Sequence, residues 1–504
     1  MTQAEHVLKS IARPVLDLLW KFRFIPIAIL VIGLGVLLGF LMNTPETSEL
    51  FVSIAVLFVV LVIIVNDPLH GVMVWLFFTA FLETWINIPM GAGIPDLEFS
   101  RFIAAFLAIF MLARAATGQH RFSRPGLVEA CIVMAFFGIA LAAPRSTDPR
   151  DVLQSALTEY LIPLGLYFFT KNLVRDKNDL HKLFWVIAFF GFVVALYAMY
   201  EQATGNILFL AKGREDKTYT VYSASLHLLR GLLGRSGNFG RVLVTSIPVS
   251  FYLFFESKKF SHRFMHVAML LVQAFGMFLT YNRTSWYALI ISLSILAFSY
   301  PQFRRVYLVI VFVAAAVLWA TWDQVNESAV VQERVNEKTE DFNGRSARWE
   351  AGWNMWQAKP IQGWGFGRYE SESGNFRSDG FRWDFQAIEN DFLDILVGSG
   401  LLGFAPYFLF LLIPLLKSLR LFFRARAPDW PGFIKSETIA VYWAVILSFV
   451  LGSYTQVQTQ LIVRMLPFAI AGAVVGSHEY LLRRSERRPA SLPAHQAMVG
   501  AEKS

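Results

Sequence analysis

Residues 389–403 read Glu389-Asn390-Asp391-Phe392-Leu393-Asp394-Ile395-Leu396-Val397-Gly398-Ser399-Gly400-Leu401-Leu402-Gly403 and continue without a break into an apolar run that ends near Leu416. A helix needs about 20 mostly apolar residues to cross the hydrocarbon layer, and this run supplies them. Asn is a good N-cap, and acids are favoured in a first helical turn by the helix dipole. The stretch therefore predicts a helix that starts at a membrane edge, with its polar chemistry gathered at the entry.

The same reading extends along the chain. It has 504 residues, of which 55% are hydrophobic and 16% charged, with 47 Phe and a mean hydropathy of +0.48. One soluble core could not use so much apolar surface. Apolar runs fall at 24–42, 50–65, 69–89, 102–117, 126–144, 151–170, 183–201, 239–256, 264–281, 284–299, 306–322, 391–416, 437–455 and 463–482. They do not alternate as barrel strands do. The fold class they predict is an all-α polytopic membrane protein with about fourteen transmembrane helices and two long periplasmic loops, the second containing short helices. Runs 50–65 and 69–89 are separated only by Asn66, Asp67 and Pro68, which leaves a re-entrant alternative for one of them.

Basic residues orient the spans, because short cytoplasmic loops collect Lys and Arg. Lys258-Lys259, Arg304-Arg305, Arg424, Arg426 and Arg483-Arg484 fall on one side, the cytoplasmic side if both termini are inside. The expected organisation is N-terminal spans over 1–201, a first long periplasmic loop over 202–238, central spans over 239–322, a second long loop over 323–388, C-terminal spans over 389–482 and a disordered cytoplasmic tail over 483–504. This pattern favours an inner-membrane protein with two working loops on its outer face. Net charge +8 and pI 9.4 are accounted for by cytoplasmic arginines meeting anionic membrane lipids, so nucleic-acid binding is not needed. The first span follows Lys21 and Arg23, yet Asn43-Thr44-Pro45 is no small-residue cleavage site, and it reads as an anchor. The single cysteine, Cys131, excludes an internal disulfide and a thiolate metal cluster.

Candidate chemistry lies in the outer loops. Arg230, Arg235 and Arg241 are interleaved with glycines over 229–241, where the backbone can approach a bulky group and guanidinium forks suit phosphate oxygens. Headgroup snorkelling is the plainer reading of Arg230, whereas Arg241 stands at the mouth of a span, where a charge is costly unless it is paired or functional. Arg283, in Tyr281-Asn282-Arg283-Thr284-Ser285-Trp286, occupies a tight outer turn that the positive-inside bias disfavours. Arg345, Arg348, Trp349, Gly352, Trp353 and Trp356 share one helix face that stops at Pro360. Trp353 and Trp356 read as interfacial anchors. Glu389 carries two readings, an acid at a helix entry and a base that takes a proton from a hydroxyl. The intramembrane acids Glu83, Glu129 and Glu159 are either functional or helix–helix bonding groups.

Taken together these residues resemble the O-antigen ligase and O-antigen polymerase superfamily of bacterial membrane glycosyltransferases, over roughly the last three fifths of the chain. The similar pieces are Arg230 to Pro248, with Gly237-Asn238-Phe239; Asn282-Arg283-Thr284-Ser285; Arg348-Trp349 with Pro360 through Gly367; and Glu389-Asn390, then nine residues, then Gly400-Leu401-Leu402-Gly403. Family ligases carry His-Asn where this chain has Glu389-Asn390. That departure turns the expectation toward a polysaccharide (O-antigen or exopolysaccharide) polymerase first and a ligase second.

The resemblance implies a glycan passed from an undecaprenyl diphosphate donor to an acceptor hydroxyl. The sequence shows no Asp-x-Asp metal motif and no Walker loop, so no metal or other cofactor is expected and arginines are left to neutralise the diphosphate. Glu389, Arg283 and Arg348 are the expected catalytic residues, with Arg241, Arg345 and Arg230 binding the diphosphate. The partners implied are the undecaprenyl diphosphate-linked oligosaccharide, membrane lipids and a chain-length regulator. A lipid-linked sugar transporter is the rival from another class. It should show polar residues deep in several spans and internal repeats, and no convincing repeat is present.

Overall fold

The computed structural model describes residues 45–83, 85–88, 96–120, 122–209, 229–322, 345–378, 387–428, 430, 432–455 and 460–477. The expected first span, the C-terminal tail, most of the first long loop and the start of the second lie outside the described residues. Those described fall into two compact units, one drawn from 45–120 with 207–209, the other from 122–206 with 229–477.

In the first unit, α1 (Pro45–Asn66) and α2 (Pro68–Leu82) meet at Asp67. The Asp67 carboxylate accepts from the backbone N–H groups of Leu69 and His70, and Pro68 takes the first helical position, where its missing N–H costs nothing. A one-residue joint therefore suffices to end one helix and start the next. Two-residue strands, β1 (Asn87–Ile88) and β2 (Leu97–Glu98), pair antiparallel and lead into α3 (Phe99–Ala116). Glu83 is occupied locally, accepting from Ser100 Oγ at 2.6 Å. Arg101 pairs with Glu98 at 3.5 Å and donates to the Asp96 carbonyl.

The second unit carries α4 (Leu127–Ala140), α5 (Pro149–Ser155), a π-turn (Ala156–Leu161), α6 (Ile162–Leu173) and α7 (Lys177–Thr204). It continues through α8 (Ser236–Glu256), α9 (Phe260–Leu279), α10 (Arg283–Ser299) and α11 (Pro301–Ala320). After these come α12 (345–358), α13 (Tyr369–Glu372), α14 (Asp391–Arg424), α15 (Ser436–Thr455) and α16 (Leu461–Ala471), the last followed by a second π-turn. Among the described residues, eight helices are long and apolar enough to cross a membrane, and four more are apolar but shorter. This is an all-α membrane protein; the expected count of fourteen spans is not confirmed by these helices, and its first span lies outside the described residues.

Helix α8 is the core of this unit, enclosed by α7, α9, α10 and α15. Small residues let the backbones approach. A Cβ on Gly276 would meet Ala195 Cβ at 2.6 Å, and one on Gly240 would meet Ser285 Oγ at 2.2 Å. Polar bonds join the same helices: buried Gln273 donates to the Ala188 carbonyl and accepts from Ser250 Oγ, tying α7, α8 and α9 together. One end of the bundle is fastened by ion pairs, with Lys171 2.6 Å from Glu129 and Lys435 3.0 Å from Glu256. Glu129 is thus a buried counter-ion. The candidate site lies at the other end.

Candidate active site

Among the described residues, two that are not glycine have positive φ, Tyr281 at 48° and Glu389 at 52°. Left-handed backbone costs an L-residue about 1–2 kcal/mol, so each must be held by its surroundings. Both precede an asparagine cap in extended conformation. The Asn282 side chain accepts from Ser285 N at 2.9 Å and that of Asn390 from Leu393 N at 3.1 Å. Helices α10 and α14 are thus entered by the same reversal, followed by Arg283 in one and Asp391 in the other.

The reversal at Glu389 turns its side chain onto α12. Glu389 Oε2 lies 3.3 Å from Arg345 Nε and 3.2 Å from Arg348 Nη1, and all three side chains are partly exposed. The sequence placed both arginines on one helix face; the structure adds that the acid closes over them. Helix α12 is seated by a small apolar core of Ala351, Met355, Tyr369, Ile388, Leu393, Leu396 and Val397. Burial pushes the Tyr369 phenol above its ordinary range, so it stays protonated and donates to the Arg348 carbonyl at 2.9 Å. Trp356, expected as a membrane anchor, packs on this core, and its indole donates to the Pro360 carbonyl. Trp353 stays half-exposed with its ring 4.6 Å from that of Trp356.

The turn after α12 is fixed to a break in α14. Gly400 has φ 62° and ψ −160°, a conformation essentially confined to glycine, and it interrupts the helix. Backbone groups freed there pair with the turn: Leu401 N and Leu402 N donate to the carbonyls of Pro360 and Ile361, at 2.9 and 3.1 Å. In return Trp364 N and Gly365 N donate to the carbonyls of Val397 and Gly398, at 2.8 and 2.9 Å. A Cβ on Gly400 would sit 2.4 Å from the Ile361 oxygen, and one on Gly363 would sit 2.6 Å from the Gly398 oxygen. The far side of the turn meets the segment before α5, where Arg145 Nη2 donates to the Gln362 carbonyl and Arg368 Nε to that of Arg145. The Gly400-x-x-Gly403 spacing therefore builds a joint: Gly400 breaks the helix, and Gly403 passes close to Ser399 and Ile139.

Arg241, buried in α8, donates to the Gly452 carbonyl at 2.8 Å. Beside it is a cavity of about 20 Å³, room for one water-sized sphere, lined in part by Arg241, Thr245, Thr284, Ser285 and Ser448. The Arg241 guanidinium and the first turn of α10 meet there, while three of the four hydroxyls donate elsewhere: Thr245 to the Arg241 carbonyl, Ser285 to Asn282 Oδ1 and Ser448 to the Ala444 carbonyl. Arg283 is the first residue of that helix. Arg230 lies on the approach to α8, where its backbone N–H donates to buried Glu201 at 2.7 Å. Of the six predicted site residues, described contacts bring Glu389, Arg345 and Arg348 together and set Arg241 against the entry of Arg283's helix.

One cluster escaped the sequence reading. Arg464, on α16, is 1% exposed, and its Nη2 donates to Asp391 Oδ1 at 2.8 Å. Its Nη1 donates to the Glu159 carbonyl at 3.0 Å and lies 3.6 Å from Glu159 Oε2, while the guanidinium stands over the Tyr160 ring at 4.4 Å. The π-turn at 156–161 helps, because its wider spacing interrupts the regular pairing of carbonyls with N–H groups four residues on. The available signal was a charge at the start of an apolar run.

Residues 268–408 match the family model described as O-Antigen ligase. The match supports the O-antigen ligase/polymerase superfamily and a glycosyltransferase-like membrane enzyme. Arg283, Arg345, Arg348 and Glu389 lie within the matched stretch, and Arg230, Arg241 and Arg464 lie outside it. No curated protein matches the chain significantly.

Proposed function

We propose, with the O-antigen ligase/polymerase-type region as premise, that this protein is a polysaccharide polymerase of the bacterial inner membrane. It transfers a glycan from an undecaprenyl diphosphate donor to a hydroxyl of a lipid-linked glycan acceptor at the periplasmic face. The observation that carries the reading is Glu389 bridged to Arg345 and Arg348 at the entry of α14. The pair of arginines supplies charge for a departing diphosphate, and the carboxylate beside them is placed to receive a proton.

In the proposed step the diphosphate takes over Arg345 and Arg348, which releases Glu389 from its ion pairs. The acceptor hydroxyl oxygen attacks the anomeric carbon, and its proton passes to Glu389. The bond from that carbon to the diphosphate oxygen breaks, and undecaprenyl diphosphate leaves with the electron pair. Arg241 and Arg283 hold the second phosphoryl group from α8 and the entry of α10, with Arg230 on the approach. The charge stabilisation comes from these guanidinium groups, so the reaction runs without a metal ion.

A ligase is the second reading, favoured by the description of the matched family; there the acceptor is a lipid core or a protein. The deciding experiment reconstitutes the purified protein with an undecaprenyl diphosphate-linked repeat unit in EDTA and sizes the products. A ladder of multiples makes it a polymerase. One-step transfer only when a lipid or protein acceptor is added makes it a ligase, and no transfer under either condition overturns both.

A further inference from the structure

We infer that Arg464 is a positioning residue for Glu389, a role that rests on the transfer reaction proposed above. A guanidinium in the membrane interior is costly unless paired, and an apolar side chain of similar volume commonly serves packing as well as a buried ion pair does. Arg464 is nevertheless almost wholly enclosed, and its contacts join the start of α14 to the π-turn at 156–161. Through Asp391 Oδ1, at 2.8 Å, it grips the first residue of α14, two residues from Glu389. Through the Glu159 carbonyl and the Tyr160 face it fixes that grip to the π-turn of another element.

The grip matters because Glu389 is held in left-handed backbone, a conformation that relaxes unless the chain on both sides is fixed. On one side Ile388 is buried in the core beneath α12. On the other, the Asn390 cap and the Asp391–Arg464 pair lock the helix start. Loosening the second anchor lets Glu389 move away from Arg345 and Arg348 while leaving Arg241, Arg283, Arg345 and Arg348 able to bind phosphate. Arg464 thus acts on the reaction through Asp391 and Glu389 without touching substrate.

The test uses the full-length protein in lipid nanodiscs, with wild-type transfer established first, so that failure of the functional reading is seen separately. Arg464→Lys keeps the charge but cannot reach all three partners. It should lower kcat about tenfold to a hundredfold, the scale of a 1 Å misplacement. The donor KM and the binding of undecaprenyl diphosphate itself should stay within about twofold. Adding Asp391→Glu, whose longer side chain reaches the shorter lysine, should restore part of kcat. Position is read directly in a Cys131→Ala background by a short bis-maleimide link between Arg345→Cys and Glu389→Cys, whose yield should fall on adding Arg464→Lys. Should Arg464→Lys not fold, the more exposed partner is used: Glu159→Gln should lower kcat by a smaller factor with binding unchanged. Unchanged kcat and cross-linking, or kcat and diphosphate binding lost in the same proportion, would overturn the inference.

Discussion

Arg348 Nη1 and Glu389 Oε2 stand 3.2 Å apart, and Arg345 Nε approaches the same oxygen at 3.3 Å. One carboxylate therefore fills a place that a donor phosphate takes in the proposed reaction. Glu389→Gln keeps the shape and removes the charge, so it should lower turnover about a hundredfold, the scale of general-base loss. Donor KM should hold or fall. Steady-state kinetics on the reconstituted protein decide it, and wild-type turnover would leave Glu389 only its place at the helix entry.

Arg283 opens α10, but the cap of that helix is Asn282, whose side chain accepts from Ser285 N. Truncating the arginine thus spares the helix start. Arg283→Ala should abolish polymer while membrane levels of the protein stay normal, as measured by immunoblot and glycan gels. Near-normal polymer would remove Arg283 from the mechanism.

Gly400→Ala asks an L-residue to adopt φ 62° and ψ −160° with its Cβ 2.4 Å from the Ile361 oxygen. Backbone strain of this kind costs about 1–3 kcal/mol, and the contact adds to it. Gly165→Ala, where no atom lies within 4 Å of the added Cβ, is the matched control. Thermal unfolding in nanodiscs should show a clear drop for the first and little change for the second; equal behaviour would mean that the joint bends freely.

Glu129 and Lys171 form a buried pair at the bundle end away from the site, 9% and 1% exposed. Removing one partner of such a pair costs about 3–5 kcal/mol. Glu129→Gln should therefore lower Tm and yield, with turnover per folded molecule unchanged. A fall in that turnover would give Glu129 a part in the reaction.

How much of this was legible follows from the range of each interaction. The apolar runs predicted helices well, because hydrocarbon thickness acts on each segment alone. Asn390 as cap and Arg345 with Arg348 on one face were also legible, being set within a turn or two of helix. The closure of Glu389 over those arginines was foreseen only as a neighbourhood, since nothing local fixes a left-handed Glu389. Arg464 was legible only as a charge at the start of the apolar run 463–482, and Asp391 as an acid favoured by a helix dipole. Their pairing joins residues 73 positions apart, and the Glu159 carbonyl lies 305 positions from Arg464. Gly400 was legible as a motif residue, but its purpose depends on the Pro360–Gly365 turn packing against it.

That joint between the turn and broken α14 is made of main-chain bonds, and the side chains of Ile361, Leu401 and Leu402 point largely outward, at 63%, 42% and 46% exposure. Shape and surface are therefore inherited separately at this spot. Mutation can rewrite what the protein displays beside the candidate site while the geometry beneath stays put.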